Sequence, residues 1–149
     1  TVAIGHSEGD LVIVDVVRGM TGTPAAIVAE YAELLKSYKV RTVRGDRYGG
    51  SWPADEFQKH HIEYKQSEKA KSGLYQDILP ILNSGRCELP PSAKLLTEFT
   101  GLERRTSRSG RDSIDHAPNG HDDWANAIAG LITHTALETK WATNFKMRF

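Results

Sequence analysis

TVAIGHSEGDLVIVDVVRG, residues 1 to 19, holds two runs rich in β-branched residues, TVAIGH and LVIVDVVRG, parted by SEGD. Such a pair reads as a β-hairpin. The segments after it decide the kind of sheet it belongs to. In TGTPAAIVAEYAELLKSYK, Thr23 is placed to cap a helix and Pro24 to occupy its first position. Ile27, Tyr31, Leu34, Leu35 and Tyr38 then recur at helical spacing. VRTVRGD is a short strand running into the turn RYGGSW, and Pro53 opens a helix that reaches about His60. IEYK is the next strand. KAKSGLYQDILPILNSG is a helix around Leu74, Ile78, Ile81 and Leu82, with Pro80 as a kink and Gly85 as a stop. RCEL reads as a strand, AKLLTEFTGLERR as a helix capped by Ser92, residues 106–121 as loop, and 121–138 as a last helix. A hairpin followed by alternating helices and strands implies an α/β fold with a mixed sheet, antiparallel and then parallel, flanked by helices.

Composition bounds the function. The 149 residues carry 19 Lys+Arg against 19 Asp+Glu, so net charge gives no global argument for a polyanionic partner, and a nucleic-acid surface has to be local. A hydrophobic share of 39% beside 26% charged residues is that of a globular domain. The single Cys87 excludes an internal disulfide and a cysteine-rich zinc site, fits a reducing compartment, and reads as a buried, inert thiol. LVIVDVV is too short and too polar to span a membrane, and no secretory leader is visible. Repeats, low-complexity tracts and linkers are absent, which gives one domain over 1–149, with its core at about 1–138 and a C-terminal tail at 139–149.

In mixed α/β sheets, working groups gather at the carboxyl ends of parallel strands. Asp46 stands there, directly after VRTVRG, in a turn whose Gly45, Gly49 and Gly50 let a backbone approach a ligand. An aspartate that merely bonds the next amides of its turn would look the same. GHDDWANAIAGL, residues 120–131, places Asp122 and Asp123 at a helix start. Carboxylates are favourable at that position as caps; yet one cap suffices, and two adjacent acids repel each other. By helical phase Asp123 shares a face with the small residues Ala127 and Gly130. Asp122 lies with Asn126 and Ala129, further from the core. Trp124, Ile128, Leu131 and Ile132 form the apolar stripe. Acids from distant segments are what an oxygen-ligated divalent ion requires, and two ions about 3.5–4 Å apart call for at least three. The six histidines have no zinc-motif spacing. His134 and the His60–His61 pair read as surface or boundary residues. His116 and His121 flank the acidic loop, either as supporting groups or as structural ones. In GLERRTSRSGRDS, Arg104, Arg105, Arg108 and Arg111 face one nearby acid, Glu103. They form either a solvated loop or a patch for phosphate contacts.

VRGDRYGGSWPADEFQKHHIEY, KSGLYQDILPILNSGRCEL, LERRTSRSGRDSIDHAPNGHDDWANAIAG and the opening TVAIGH together resemble the nuclease domain of tailed-phage large terminase subunits. The resemblance implies a ribonuclease H-like fold and a Mg²⁺- or Mn²⁺-dependent endonuclease, with two ions in the complete site, that hydrolyses phosphodiester bonds of concatemeric viral DNA. It implies Asp46 and Asp123 as catalytic metal ligands, Asp122 as a further ligand, Asp115 and His121 as auxiliary groups, and the four arginines as DNA contacts. The family's first acid lies on a central strand that precedes the stretch resembling TVAIGH. The expectation is therefore of a fragment that starts after that strand and acid. The implied partners are double-stranded viral DNA, an ATPase domain of the same full-length chain, the portal and the small terminase subunit. The implied setting is the cytoplasm of an infected bacterium, with no membrane. The rivals are another ribonuclease H-like nuclease, of junction-resolvase or recombinase type, and a catalytically incomplete DNA-binding or motor-docking module.

Overall fold

Strands β1 (Val2–Glu8) and β2 (Leu11–Arg18) form the expected hairpin, in register from Val2 opposite Arg18 to Glu8 opposite Leu11, with an irregularity between Ile4 and Gly5. Period-2 alternation sends Val2 and Ile4 to one face of the sheet and Ala3 to the other, and all three are fully buried. Both faces must therefore be covered by helices.

The computed structural model describes residues 1–46, 50–107, 110, 112–138 and 146–148, the backbone alone at 137–138 and 146–148. Helix α1 (Pro24–Ser37) starts as its sequence dictates: Thr23 Oγ1 accepts from the amide of Ala26, with Pro24 in the first turn. Strand β3 (Thr42–Gly45), helix α2 (Trp52–Lys59) and strand β4 (Glu63–Gln66) come next, with β4 parallel to β3. Helix α3 (Lys71–Asn83) contains Pro80, and β5 (Cys87–Glu88) pairs in parallel with β2. Helix α4 (Ala93–Thr100), strands β6 (Leu102–Thr106) and β7 (Asp112–His116), helix α5 (Asp123–Glu138) and strand β8 (Lys146–Arg148) complete the order.

The main sheet runs β4-β3-β8-β1-β2-β5, mixed as expected. Strand β8 is antiparallel to β1 and parallel to β3, so a segment expected as a tail occupies the position between them. Ala3 and Arg44 both lie opposite Arg148. The amino end of β1 and the carboxyl end of β3 therefore share one edge of the sheet. Helices α1 and α2 cover one face through Tyr31, Leu35 and Phe57. Helices α3, α4 and α5 cover the other through Tyr75, Leu95 and Leu131. In α5 the stripe residues Ile128, Leu131 and Ile132 are buried, and so are Ala125, Ala127 and Ala129. A helix apolar on nearly every side belongs in the interior. Among the described residues, no helix is long and apolar enough to cross a membrane.

One expectation is corrected. LERR does not extend α4, and 106–121 is not all loop. Helix α4 stops at Gly101, whose amide bonds the carbonyl of Thr97 (3.0 Å), and the chain then folds into the antiparallel β6–β7 ribbon. Its strands carry mostly polar residues, exposed on β6 and largely half-buried on β7, so they lack the apolar alternation that signals a half-buried strand. The ribbon is held instead by contact with α3: Ile114 is buried there, and its amide bonds Ser72 Oγ (2.9 Å).

Candidate functional site

The start of α5 is held from outside the helix. The carbonyl of Asp122 accepts from the amide of Asn126 (2.7 Å), which makes Asp122 the residue before the first turn. An aspartate in that position ordinarily caps the next amides with its own carboxylate. Here the amides of Trp124 and Ala125 donate instead to Glu98 Oε2, at 2.8 and 2.9 Å. The Asp122 carboxylate turns toward α3, where Oδ2 accepts from Tyr75 Oη (2.8 Å) and lies 3.1 Å from Lys71 Nζ. Asp122 is 7% exposed, whereas Asp123 is exposed, which reverses the ranking that helical phase gave them. The helical wheel fails at a cap residue because its backbone is not helical, and because α3, not α5, supplies the cover.

Lys71 bridges two acids. Its ammonium is also 2.6 Å from Asp115 Oδ1 on β7. Burial opposes the Lys71 charge, but the bonds to Asp115 and Asp122 outweigh it and hold the amine above its ordinary value. The same bond from Lys71, helped by the amide of His116, holds the Asp115 carboxyl below the usual range. Burial, then the bond to Asp122, pushes the Tyr75 hydroxyl far up, so it acts here as a neutral donor. His116 Nδ1 is 2.8 Å from the carbonyl of Ala117, which fixes the proton on that nitrogen and leaves Nε2 as a lone-pair donor when the ring is neutral. Among the described residues, Asp115, His116 and Asp122 offer ligand atoms within 4.8 Å of one another. His121 is exposed and lies outside this cluster.

Asp46 follows β3 at the shared sheet edge and is exposed. Its carbonyl accepts from Tyr64 Oη (2.9 Å), and burial, then the charge of Asp46, raises that phenol to about 12. Gly45 is needed for this tyrosine: a Cβ there would sit 2.9 Å from two carbons of the Tyr64 ring. Gly45 thus admits a neighbouring strand's side chain rather than a ligand, and Gly49 lies outside the described residues. Asp46, Asp115, Asp122 and Asp123 line one cleft of about 670 Å³, together with Lys71 and Asn126. Asn126 Oδ1 is buried there with no hydrogen-bond partner among the described residues. A set of carboxylate oxygens with one imidazole nitrogen beside it and one orphaned amide oxygen suits a divalent cation.

Arg104 and Arg105 lie on β6, exposed, and each already has an acid: Arg104 pairs with Asp112 across the ribbon and Arg105 with Glu103 (2.8 Å). Asp112 is a counter-charge that the sequence reading did not count. Arg108 and Arg111 lie outside the described residues. His134 is buried rather than at the surface, with Nδ1 2.9 Å from an Arg44 guanidinium nitrogen. Cys87 is partly buried, and burial raises its thiol to about 11, which keeps it unreactive. Sequence reasoning missed Lys71, Tyr75 and Glu98, which stand 51, 47 and 24 positions before Asp122. No local spacing signals such contacts.

No family model matches the chain, and neither does any curated protein. Solved structures do. The large terminase nuclease from thermophilic phage G20c superposes with a TM-score of 0.67 at 21% identity, over 87% of this chain and 68% of that one. The same nuclease with bound cobalt gives a TM-score of 0.72 at 21% identity, over 89% and 80%. With bound magnesium it gives 0.66 at 23%, over 75% and 62%. The chain therefore shares the mixed α/β fold of these terminase nucleases.

Proposed function

We propose that this domain is a divalent-metal-dependent DNA endonuclease of the terminase type. The observation that carries the reading is the convergence of Asp46, Asp115, Asp122 and Asp123, from three separate parts of the chain, on one cleft in this fold. Asp46, Asp122 and Asp123 would hold Mg²⁺ or Mn²⁺, with Asp115 and His116 beside them. When bound, such ions neutralise phosphodiester charge and activate water. Tyr75 orients the Asp122 carboxylate by hydrogen bond, and Lys71 balances its charge and that of Asp115. Arg104 and Arg105, exposed on the β6–β7 ribbon, would meet the DNA backbone without reading sequence. The substrate would be double-stranded viral DNA. The setting would be a packaging motor with its ATPase domain, portal and small subunit, in the cytoplasm of an infected bacterium.

The test is nicking of supercoiled plasmid by the intact protein with Mn²⁺, beside Asp122→Asn and Asp123→Asn. Cleavage by wild type that falls at least about 100-fold in both variants is the expected result, because each removes a charged ligand. Cleavage untouched by both would sink the assignment. A second reading has its own support: Lys71 already meets the charge of Asp115 and Asp122, as it would in a DNA-binding or motor-docking module without catalysis. A melting temperature that does not respond to Mn²⁺ in wild type favours that module, while a preference for branched junctions favours a resolvase.

A further inference from the structure

The geometry points to Glu98 as a positioning residue for the acidic site, an inference that rests on the metal-dependent reading above. Glu98 belongs to α4 and is 5% exposed. A carboxylate so buried is costly unless its charge is answered. Oε2 is answered by two amides of the first turn of α5, and the positive end of the helix dipole adds to them. Oε1 has no hydrogen bond among the described residues and lies 3.8 Å from Lys94 Nζ. That ammonium also sits 4.7 Å from the centre of the Trp124 ring, so α4 grips the first turn of α5 from two directions.

The consequence falls on Asp122 and Asp123. Were the first amides of α5 uncapped, the Asp122 carboxylate would be the nearest acceptor and would fold back onto them. Glu98 takes that work, and Asp122 is released to face Tyr75, Lys71 and the cleft. Reach, more than charge, is what this role demands of residue 98. Ligands to a metal must be held to within about 0.5 Å, so a cap that shifts the helix start shifts both acids.

Two variants separate reach from charge, in the intact protein with Mn²⁺ alone as probe. Glu98→Gln keeps the reach and an acceptor oxygen but drops the charge. Glu98→Asp keeps the charge but withdraws the oxygen by one methylene. Calorimetric Mn²⁺ titration should give Glu98→Gln within about threefold of wild type and Glu98→Asp weaker by about 10-fold or more, the loss typical when a ligand's supporting partner is removed. In the nicking assay, Glu98→Asp should lose kcat while KM for DNA holds. Leu95→Ala, a core truncation one turn earlier on α4, should lower the melting temperature and leave Mn²⁺ affinity unchanged. Wild-type Mn²⁺ affinity in Glu98→Asp, or an equal loss in Leu95→Ala, overturns the positioning role alone. Absence of Mn²⁺ binding by wild type overturns the metal reading and this role with it.

Discussion

Lys71 puts a protein cation where a divalent ion would otherwise neutralise Asp115 and Asp122, at 2.6 and 3.1 Å. Replacing it by Met leaves two acids facing each other, one of them buried. Lys71→Met should therefore destabilise the metal-free protein by about 1–3 kcal/mol near neutral pH, the scale of losing a charged partner from a buried carboxylate that keeps its bond from Tyr75. The same change removes a competitor for those oxygens, so the rise in melting temperature on adding Mn²⁺ should be larger than in wild type. Melting curves against Mn²⁺ concentration test both halves, and an equal rise in the two proteins would mean that lysine and metal do not compete. Of this candidate site, Asp46, Asp122 and Asp123 were visible as candidates in the sequence, because adjacent aspartates at a helix start and an aspartate after a strand are local patterns. Their ranking was not. Asp122 is the buried one because Tyr75 and Lys71 cover it, and neither is near it along the chain.

At the scale of elements, the β1–β2 hairpin carries a pH dependence of its own. His6 Nδ1 is 2.7 Å from Asp15 Oδ2 across the two strands, with Glu8 3.4 Å from Nε2. The bond to Asp15, then that to Glu8, raises the His6 pKa against the opposing effect of burial. A raised folded-state value stabilises the fold fully below the unfolded-state value, about 6.5, and the gain is lost as pH climbs through the folded-state value. Wild type should thus exceed His6→Gln in stability most between about pH 5 and 6, with the gap narrowing as pH climbs above about 6.5. Denaturant titrations across that range measure it, and a gap constant with pH would leave the imidazolium no part in holding the hairpin.

For the whole molecule, the critical packing is α5 on the sheet. A Cβ on Gly5 would run into the backbone carbonyl of Ile13 on β2 and lie 2.8 Å from Leu131 Cδ2, so β1 has no room for a side chain where it meets β2 and α5. Gly5→Ala should cost about 3 kcal/mol or more by overpacking, because the Ile13 carbonyl belongs to the paired strand and cannot turn aside. Leu131→Ala should cost about 2–5 kcal/mol by opening a cavity. The double variant should cost somewhat less than the sum, because truncating Leu131 relieves one of the two clashes of the added methyl and leaves the one with the Ile13 carbonyl. Urea denaturation of the three proteins tests this, and strict additivity would mean that the two residues do not share that space. By itself the sequence determined the hairpin, the alternation of helices and strands, the Thr23 cap and the apolar stripe of α5, because each is a periodicity or a cap written within a few neighbouring residues. Only the tertiary structure decided the β6–β7 ribbon, the place of β8 between β1 and β3, and the partnership of Glu98, Lys71 and Tyr75 with the start of α5. Those depend on contacts across dozens of residues, where burial and charge are set by what another element brings, and such contacts leave no repeat along the chain.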